Sequence, residues 1–270
     1  MILDTIAKST RKRVDERKYA KPLKQVMREA LLCAERDRDG GHLFEKALSG
    51  PGVSFICEVK KASPSKGLIA PEFPYVDIAR EYEQGGADAI SVLTEPEFFL
   101  GSDRYLEEIH RAVSLPVLRK DFTLDQYQIY EAKTLGASAV LLICSLLDQA
   151  RLAQYMRICR ELGLGALVEA HSEREVSMAM EAGATVIGIN NRNLKTFEVD
   201  FSNALRLRKL VGQDTIFVAE SGIRTAKDIK ALAEAQVNAV LIGETLMRAP
   251  DRKMALAGLR GNEGAIPIRS

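Results

Sequence analysis

The sequence predicts an α/β fold, a closed (β/α)8 TIM barrel that carries a helical N-terminal extension. Short runs rich in Val, Ile, Leu and Ala alternate with longer amphipathic segments from Val53 almost to the end of the chain. This alternation is typical of βαβ units, and eight such units close a parallel barrel. Eight runs are present, at residues 53–59, 87–93, 116–122, 137–145, 165–170, 185–191, 215–221 and 238–244.

The segments between the runs have the periodicity of helices. In residues 148–163 the apolar side chains recur every three or four positions, and Gly163 follows as a helix stop. An open doubly wound sheet is the competing architecture. Because no G-x-G-x-x-G follows the first run, and because the count is eight, the pattern favours the closed barrel.

Residues before about position 50 do not follow the alternation, and two helical stretches can be read there, near Ile2 to Glu16 and near Leu23 to Asp37. We therefore expect one barrel domain over residues 1–270, with residues 1–50 as a helical extension over the barrel mouth. The last stretch, residues 260–270, is expected to be a flexible tail.

Composition and charge exclude several classes of function. The 38 Lys and Arg nearly balance the 37 Asp and Glu, and a net charge of +1 predicts neither a nucleic-acid partner nor a membrane partner. No run resembles a signal peptide or a membrane span, so we expect a soluble cytoplasmic protein. The four cysteines and three histidines lack the spacing of metal ligands, and no metal is expected.

The parity of side chains along a strand predicts which polar residues reach the barrel mouth. In the first run, Ile56, Glu58 and Lys60 share one face, and Cys57 and Val59 share the other. The apolar face should meet the surrounding helices. Glu58 and Lys60 are therefore expected to point inward, where an ion pair or a substrate must compensate their desolvation.

The same parity sends ionisable or amide groups inward from four later runs. The predicted residues are Lys120, Glu169, Asn190 with Arg192, and Glu220. A solvated strand end or a structural ion pair explains any one of them equally well, but the whole set favours a ligand site.

Glycines follow the last two runs, as Ser221-Gly222 and as Gly243. The corresponding loops of such barrels commonly bind phosphate through backbone N–H groups. Tight turns are the alternative explanation for these glycines, and the barrel context favours the phosphate site.

Six strings, read together, resemble the indole-3-glycerol-phosphate synthase family of tryptophan biosynthesis. They are E-V-K-K-A-S-P-S (58–65), L-R-K-D-F (118–122), L-V-E-A-H (167–171), I-N-N-R-N-L (189–194), A-E-S-G-I (219–223) and L-I-G-E-T-L-M (241–247). Each string alone is only suggestive, but the six occur in the family's order over essentially the whole chain.

The resemblance implies a cofactor-free ring closure of 1-(2-carboxyphenylamino)-1-deoxyribulose 5-phosphate, with loss of carbon dioxide and then water. It implies that Lys120 donates a proton to the ribulose carbonyl oxygen and that Glu169 is the base of the dehydration. Which lysine serves which step stays open at this point. The implied catalytic set is Lys120, Glu169, Lys60, Glu58, Asn190 and Glu220.

The resemblance also implies how the substrate is bound. Asn190 and Arg192 would line the pocket for the carboxylated ring, and Glu244 would face the phosphate with its backbone N–H. The implied substrate-binding set is Ser63, Arg192, Ser221, Gly222, Gly243 and Glu244. The expected partner is a small sugar phosphate bound by a monomer, and association with other enzymes of the pathway is left open.

The segment 61–74 is long for a strand-to-helix loop and contains Pro, Gly, Ser and Lys, so we expect a mobile cover over the site. Two other functions compete. A phosphoribosylanthranilate isomerase would need a catalytic cysteine, but Cys57 has the outward parity. A non-catalytic phosphate-binding barrel is the other possibility, against which only the intact acid–base set argues.

Overall fold

A computed structural model describes residues 2–37, 41–193 and 196–261 of the chain. It contains a closed barrel of eight parallel strands, in which each strand pairs with the next along the chain and the last pairs with the first. This confirms the predicted fold class. The strands are β1 Ser54–Val59, β2 Ala89–Leu93, β3 Val117–Lys120, β4 Ala139–Ile143, β5 Gly165–Ala170, β6 Val186–Asn190, β7 Ile216–Glu220 and β8 Ala239–Ile242.

Helices surround the barrel and precede it. They are α1 Ile2–Ala20, α2 Leu23–Arg36, α3 Leu43–Leu48, α4 Tyr75–Gln84, α5 Asp103–Ala112, α6 Gln126–Thr134, α7 Gln149–Glu161, α8 Glu173–Glu181, α9 Ser202–Arg208, α10 Ala226–Glu234, α11 Glu244–Met247 and α12 Arg252–Leu259. Across the described stretches, none of these helices is long and apolar enough to cross a bilayer. The predicted tail lies outside the described residues from position 262 onward.

The core has two layers, because side chains alternate between the two faces of each strand. Ile56, Leu118 and Leu167 belong to the cluster that fills the barrel, whereas Cys57 and Val59 belong to the cluster between the strands and the helices. Each fully buried aliphatic side chain stabilises the fold by about 2 kcal/mol. The predicted parity of the first strand is confirmed.

The N-terminal region differs in detail from the sequence prediction. Helix α1 continues to Ala20, four residues beyond the expected end, and a third helix, α3, was not predicted. Phe44 and Leu48 of α3 are fully buried and belong to the cluster that fills the barrel. With only six residues, α3 is too short for its apolar positions to reveal a helical period.

The segment after β1 is more regular than a loop. Ala62–Ser63 and Gly67–Leu68 pair as a short antiparallel hairpin, with Ala62 opposite Leu68. Gly67 has a φ of 63°, in the left-handed region that favours glycine. Two-residue strands are below the length at which alternation can be recognised in a sequence.

Ion pairs hold α1 against the barrel. Arg17 forms two ion pairs. Its Nη2 lies 2.6 Å from Oδ2 of Asp103, and its Nη1 lies 2.6 Å from Oε2 of Glu131. Those two carboxylates also accept hydrogen bonds from Arg119, at 2.8 and 2.9 Å. Arg119 lies on the outward face of β3 and is only 2% exposed. The N-terminal helix and strand β3 therefore share one ionic cluster.

We expect Arg119→Met to lower the free energy of unfolding by about 2–3 kcal/mol, because it removes the hydrogen bonds of a buried cation to Asp103 and Glu131 and leaves those carboxylates with Arg17 alone. Urea unfolding followed by circular dichroism measures the change. Arg111→Met is the matched control, since Arg111 is 73% exposed in its ion pair with Glu107 and should contribute about 0.5 kcal/mol or less. Equal losses in the two variants would contradict the structural role of Arg119.

Candidate active site

A cavity of about 570 Å³ opens at the carboxyl ends of the strands. Parallel barrels place their catalytic groups at this end, because the strand-to-helix loops converge there. All twelve site residues predicted from the sequence line the cavity, namely Glu58, Lys60, Ser63, Lys120, Glu169, Asn190, Arg192, Glu220, Ser221, Gly222, Gly243 and Glu244.

Lys120 lies at the centre of the acidic part of this cavity. Its ammonium donates to Oε2 of Glu220 at 2.8 Å and lies 3.5 Å from Oε2 of Glu169. Glu169 of β5 and Glu220 of β7 lie close together because the strand between them, β6, pairs with both β5 and β7. On β6, Gly188 pairs with Glu169. A Cβ atom built on Gly188 would lie 2.3 Å from Oε1 of Glu220. The missing side chain of Gly188 makes room for the Glu220 carboxylate.

A second ion pair lies across the cavity. The Lys60 ammonium donates a short hydrogen bond to Oε1 of Glu58, and both side chains are largely buried. Gly243 adjoins the pair, since a Cβ atom there would lie 2.3 Å from Oε1 of Glu58 and 2.8 Å from Nζ of Lys60. Glycine is required at position 243 because the side chains of Glu58 and Lys60 approach its backbone closely. This requirement is separate from the predicted role of Gly243 in binding phosphate.

Three carboxylates share two ammonium groups in this cluster, and their pKa values reflect that imbalance. Burial lowers the pKa of Lys120, but the charges of Glu220, Glu169 and Glu58 outweigh it and raise the pKa above the ordinary value. Burial also raises the pKa of Glu220 to about 7, against the opposing effect of Lys120. Lys120 is therefore held as a cation, and Glu220 takes up a proton at a higher pH than an ordinary carboxylate does.

The pKa of Glu58 moves in the opposite direction. Burial raises it, but the neighbouring charges of Lys60 and Lys120 and the hydrogen bond from Lys60 leave it below the ordinary value. Glu58 is therefore an ionised partner that keeps the Lys60 ammonium in place.

Asn190 and Ser221 form a separate polar corner of the cavity. The Ser221 hydroxyl donates to Oδ1 of Asn190 at 2.9 Å, and the same oxygen accepts the backbone N–H of Arg192 at 3.0 Å. Ser221 has a φ of 67°, a left-handed conformation that is costly for a residue other than glycine. Nη1 of Arg192 donates to the Phe197 carbonyl at 3.1 Å. The corner is thus fixed by its own hydrogen bonds.

Glu244 and Ser63 lie nearer the rim. The Glu244 carboxylate is 3.4 Å from Nζ of Lys66 and 3.2 Å from Nε of Arg248. The hydroxyl groups of Ser63 and Ser65 are 3.5 Å apart. Lys66, Ser65 and Arg248 also line the cavity and were not predicted as site residues. They lie on loops and helix ends, where strand parity gives no information.

The sequence analysis also missed an apolar wall. Leu141 and Ile143 of β4 line the cavity, together with Phe99 and Phe122, whose ring centroids are 6.0 Å apart. Strand parity could have found Leu141 and Ile143, because they share one face of β4. Phe122 also has the inward parity of Leu118 and Lys120, whereas Phe99 lies outside the eight runs and could not have been found in this way. Phe99 is placed by Glu95, whose carboxylate accepts the Phe99 backbone N–H at 3.0 Å.

Comparisons with known proteins agree with this geometry. The profile of the family described as "Indole-3-glycerol phosphate synthase" matches residues 3–259. A protein of that name from Ruminiclostridium cellulolyticum is 58% identical, over 97% of this chain and 100% of its own length. Another from Lachnoclostridium phytofermentans is 52% identical, over 96% of this chain and 99% of its own length.

Solved structures support the fold at lower sequence identity. A crystal structure of 3-hexulose-6-phosphate synthase has a TM-score of 0.63 at 16% identity, covering 78% of this chain and 99% of that chain. That likeness shows the barrel alone, whereas the profile match and the two relatives cover nearly the full sequence. The chain belongs to the indole-3-glycerol phosphate synthase family.

Proposed function

We propose that Lys120, Glu169, Lys60 and Glu220 carry out the chemistry of this carbon–carbon lyase of tryptophan biosynthesis. The reaction closes the indole ring of 1-(2-carboxyphenylamino)-1-deoxyribulose 5-phosphate and releases carbon dioxide and water. The contact of one buried ammonium, Lys120, with two carboxylates at the floor of the cavity supports the proposal most strongly.

In the first step, the aromatic carbon attacks the ribulose carbonyl, whose oxygen gains negative charge and needs a proton. Lys120 is the proposed donor, because it is buried at the cavity floor and the surrounding carboxylates hold it as a cation. Loss of carbon dioxide then restores the aromatic ring. That loss needs no further acid, since the electrons of the breaking bond return to the ring.

In the last step, a base removes a proton from the new five-membered ring while hydroxide leaves with the help of an acid. Glu169 is the proposed base, since Oε2 lies 3.5 Å from Nζ of Lys120 and therefore beside the same reacting carbon. Lys60 is the proposed acid. Lys120 has already given up its proton in the first step, and Glu58 holds the Lys60 ammonium ready.

The substrate would lie across the cavity with its two ends in different surroundings. The apolar wall, including Leu141 and Ile143, suits the aromatic ring, and the planar guanidinium of Arg192 suits the ring carboxylate. The loops at Gly222 and Gly243 would supply backbone donors for the phosphate, with Ser63 beside them. Glu58 and Glu220 orient the two lysines, while Asn190 and Ser221 order the corner near Arg192.

The whole chain is proposed to act as one barrel domain, with the N-terminal helices as part of its active end. Helix α1 contributes Ile2, Leu3 and Ile6 to the cavity wall. An isomerase with a catalytic cysteine finds no support, because Cys57 is fully buried in the outer layer and burial raises the pKa of its thiol. A monomer is proposed to be sufficient, because all the residues assigned to the chemistry line one cavity of the chain.

We expect Lys120→Met to lower kcat by at least about a hundredfold, because general-acid catalysis contributes roughly 10²–10⁴ in rate. Indole fluorescence measures turnover. Calorimetry with the analogue whose carbonyl is reduced to an alcohol should show that binding is largely kept. Lys133→Met is the matched control, since Lys133 is a buried lysine paired with Asp37 outside the cavity. Near-normal turnover of Lys120→Met would refute the assignment.

We expect Gly243→Ala to raise KM about tenfold, because the new Cβ atom would displace the Glu58–Lys60 pair and crowd the proposed phosphate loop. Steady-state kinetics and inhibition by inorganic phosphate measure the effect. Gly212→Ala is the control, since no heavy atom lies within 4 Å of a Cβ atom built there. An unchanged KM and phosphate inhibition constant in Gly243→Ala would place the phosphate elsewhere.

Trimming α1 tests its part in the site. A chain that begins with Met in place of Thr5 loses Ile2 and Leu3 from the cavity wall but keeps Ile6 and the ion pairs of Arg13 and Arg17. We expect KM to rise about tenfold through lost contact area, while Tm changes by only a few degrees. Kinetics and differential scanning calorimetry measure both. A large fall in Tm with an unchanged KM would make α1 a purely structural element.

A further inference from the structure

His171 lies directly after β5, two residues beyond Glu169, and has no part in the reaction described above. Its side chain is 20% exposed and lies between two carboxylates. Nε2 is 3.6 Å from Oε1 of Glu169, and Nδ1 is 3.4 Å from Oε2 of Glu175 on helix α8. The imidazole thus bridges the proposed base and a second carboxylate outside the cavity.

The backbone holds this histidine in place from two sides. Its N–H donates to Oε2 of Glu175 at 2.7 Å, so Glu175 binds both the backbone and the ring of His171. The His171 carbonyl accepts a hydrogen bond from the Asn203 amide of α9 at 3.3 Å. The backbone of His171 is therefore fixed by two helices, and Glu175 of α8 contacts the ring as well.

The surroundings of the imidazole are acidic. Glu169, Glu175 and Glu220 are the charged groups that act on it from β5, α8 and β7. The neutral thiol of Cys144 lies against the same turn and donates to the Glu175 carbonyl. Burial lowers the pKa of His171, but the hydrogen bond to Glu175 and the three negative charges raise it above the ordinary value near 6.5. The imidazolium form therefore persists to a higher pH than in an ordinary histidine.

The two oxygens of Glu169 face different cations in this arrangement. Oε2 faces Lys120 inside the cavity, and Oε1 faces His171 at its edge. Nε2 of His171 is buried and has no hydrogen-bond partner among the described residues, and Oε1 of Glu169 lies 3.6 Å from it. A movement of about half an ångström would shorten that contact to an ordinary hydrogen bond.

We propose that His171 is a positioning residue for the reaction, a cation that Glu175 orients and that holds the Glu169 carboxylate aligned for the dehydration. The inference rests on the proposed role of Glu169 as the base. No proton is transferred to or from His171 in the cycle. Its charge fixes the orientation of Glu169, as the third member of a nucleophile–base–orienter set fixes the base.

The first test is His171→Asn, which keeps a polar side chain and removes the positive charge. We expect kcat to fall about tenfold with KM within about twofold, because an orienting group contributes less than the base itself. The wild-type rate should fall as pH rises through the raised pKa of His171, where the imidazolium is lost. That alkaline fall should disappear in the variant.

Two controls separate this role from a loss of structure. His42→Asn removes a half-exposed histidine whose φ of 61° asparagine tolerates, and it should leave kcat and the pH profile unchanged. Glu175→Gln keeps His171 but removes the negative charge that orients its ring. We expect kcat to fall in this variant too, by a smaller factor than in His171→Asn. If His171→Asn does not fold, the pH dependence of kcat in Glu175→Gln tests the positioning role of His171 instead.

The second test measures His171 directly. The chain has three histidines, so two-dimensional ¹H–¹⁵N spectra of the wild type and the Asn variants assign each imidazole. We expect His171 to titrate above the ordinary value near 6.5, and to titrate lower in Glu169→Gln, which removes a facing negative charge.

Several outcomes overturn the inference. They are an ordinary or lowered pKa for His171, a pH profile of His171→Asn that matches the wild type, or a fall in kcat that follows Tm alone. These outcomes differ from failure of the proposed function. Full turnover by Glu169→Gln would remove the base assignment itself, whereas an inactive Glu169→Gln with an unchanged His171→Asn profile would remove only the role of His171.

Discussion

The buried ammonium of Lys120 is the constraint on which the site depends. A lone charge at this depth would be strongly unfavourable, and it is retained because Glu220 and Glu169 lie within 2.8 and 3.5 Å of it. The three groups come from β3, β5 and β7, so only a closed barrel in the observed register brings them together. The glycine at position 188 follows from the same constraint, because any side chain there would occupy the space of the Glu220 carboxylate.

Strand β3 carries a buried cation on each of its faces. Lys120 points into the barrel, and the preceding residue, Arg119, points outward into carboxylates of α5 and α6. Arg17 of α1 binds those same two carboxylates, so the N-terminal helix is joined electrostatically to the strand that carries Lys120. The arrangement resists sliding or twisting of β3, because either motion would break buried ion pairs on both faces at once. Helix α1 is thereby tied to the catalytic floor as well as to the cavity rim.

Strand parity is the reason that so much of the site could be predicted from the sequence. It placed Glu58, Lys120 and Glu169 in the mouth because an apolar residue two positions earlier, such as Ile56 or Leu167, fills the barrel. The rest depends on distances between segments remote in sequence. Helix α3 and the pairing of Phe99 with Phe122 have no local period, and the contacts of His171 depend on how α8 packs against β5. The extent of α1 beyond Glu16 was also underestimated, because a solvated helical end has no apolar repeat.

The distribution of charge explains how an acidic floor can accept an anionic substrate. The side chains of Glu58, Glu169 and Glu220 are at most 5% exposed, and each lies beside a cation within the cluster. The cations of the rim are far more accessible, with Lys66 38% and Arg248 48% exposed. An approaching phosphate therefore meets the cations of the rim first, and the carboxylates become relevant only where the reaction moves a proton. Because burial raises the pKa of Glu220 to about 7, uptake of a proton by this carboxylate would further limit the negative charge that the bound substrate encounters.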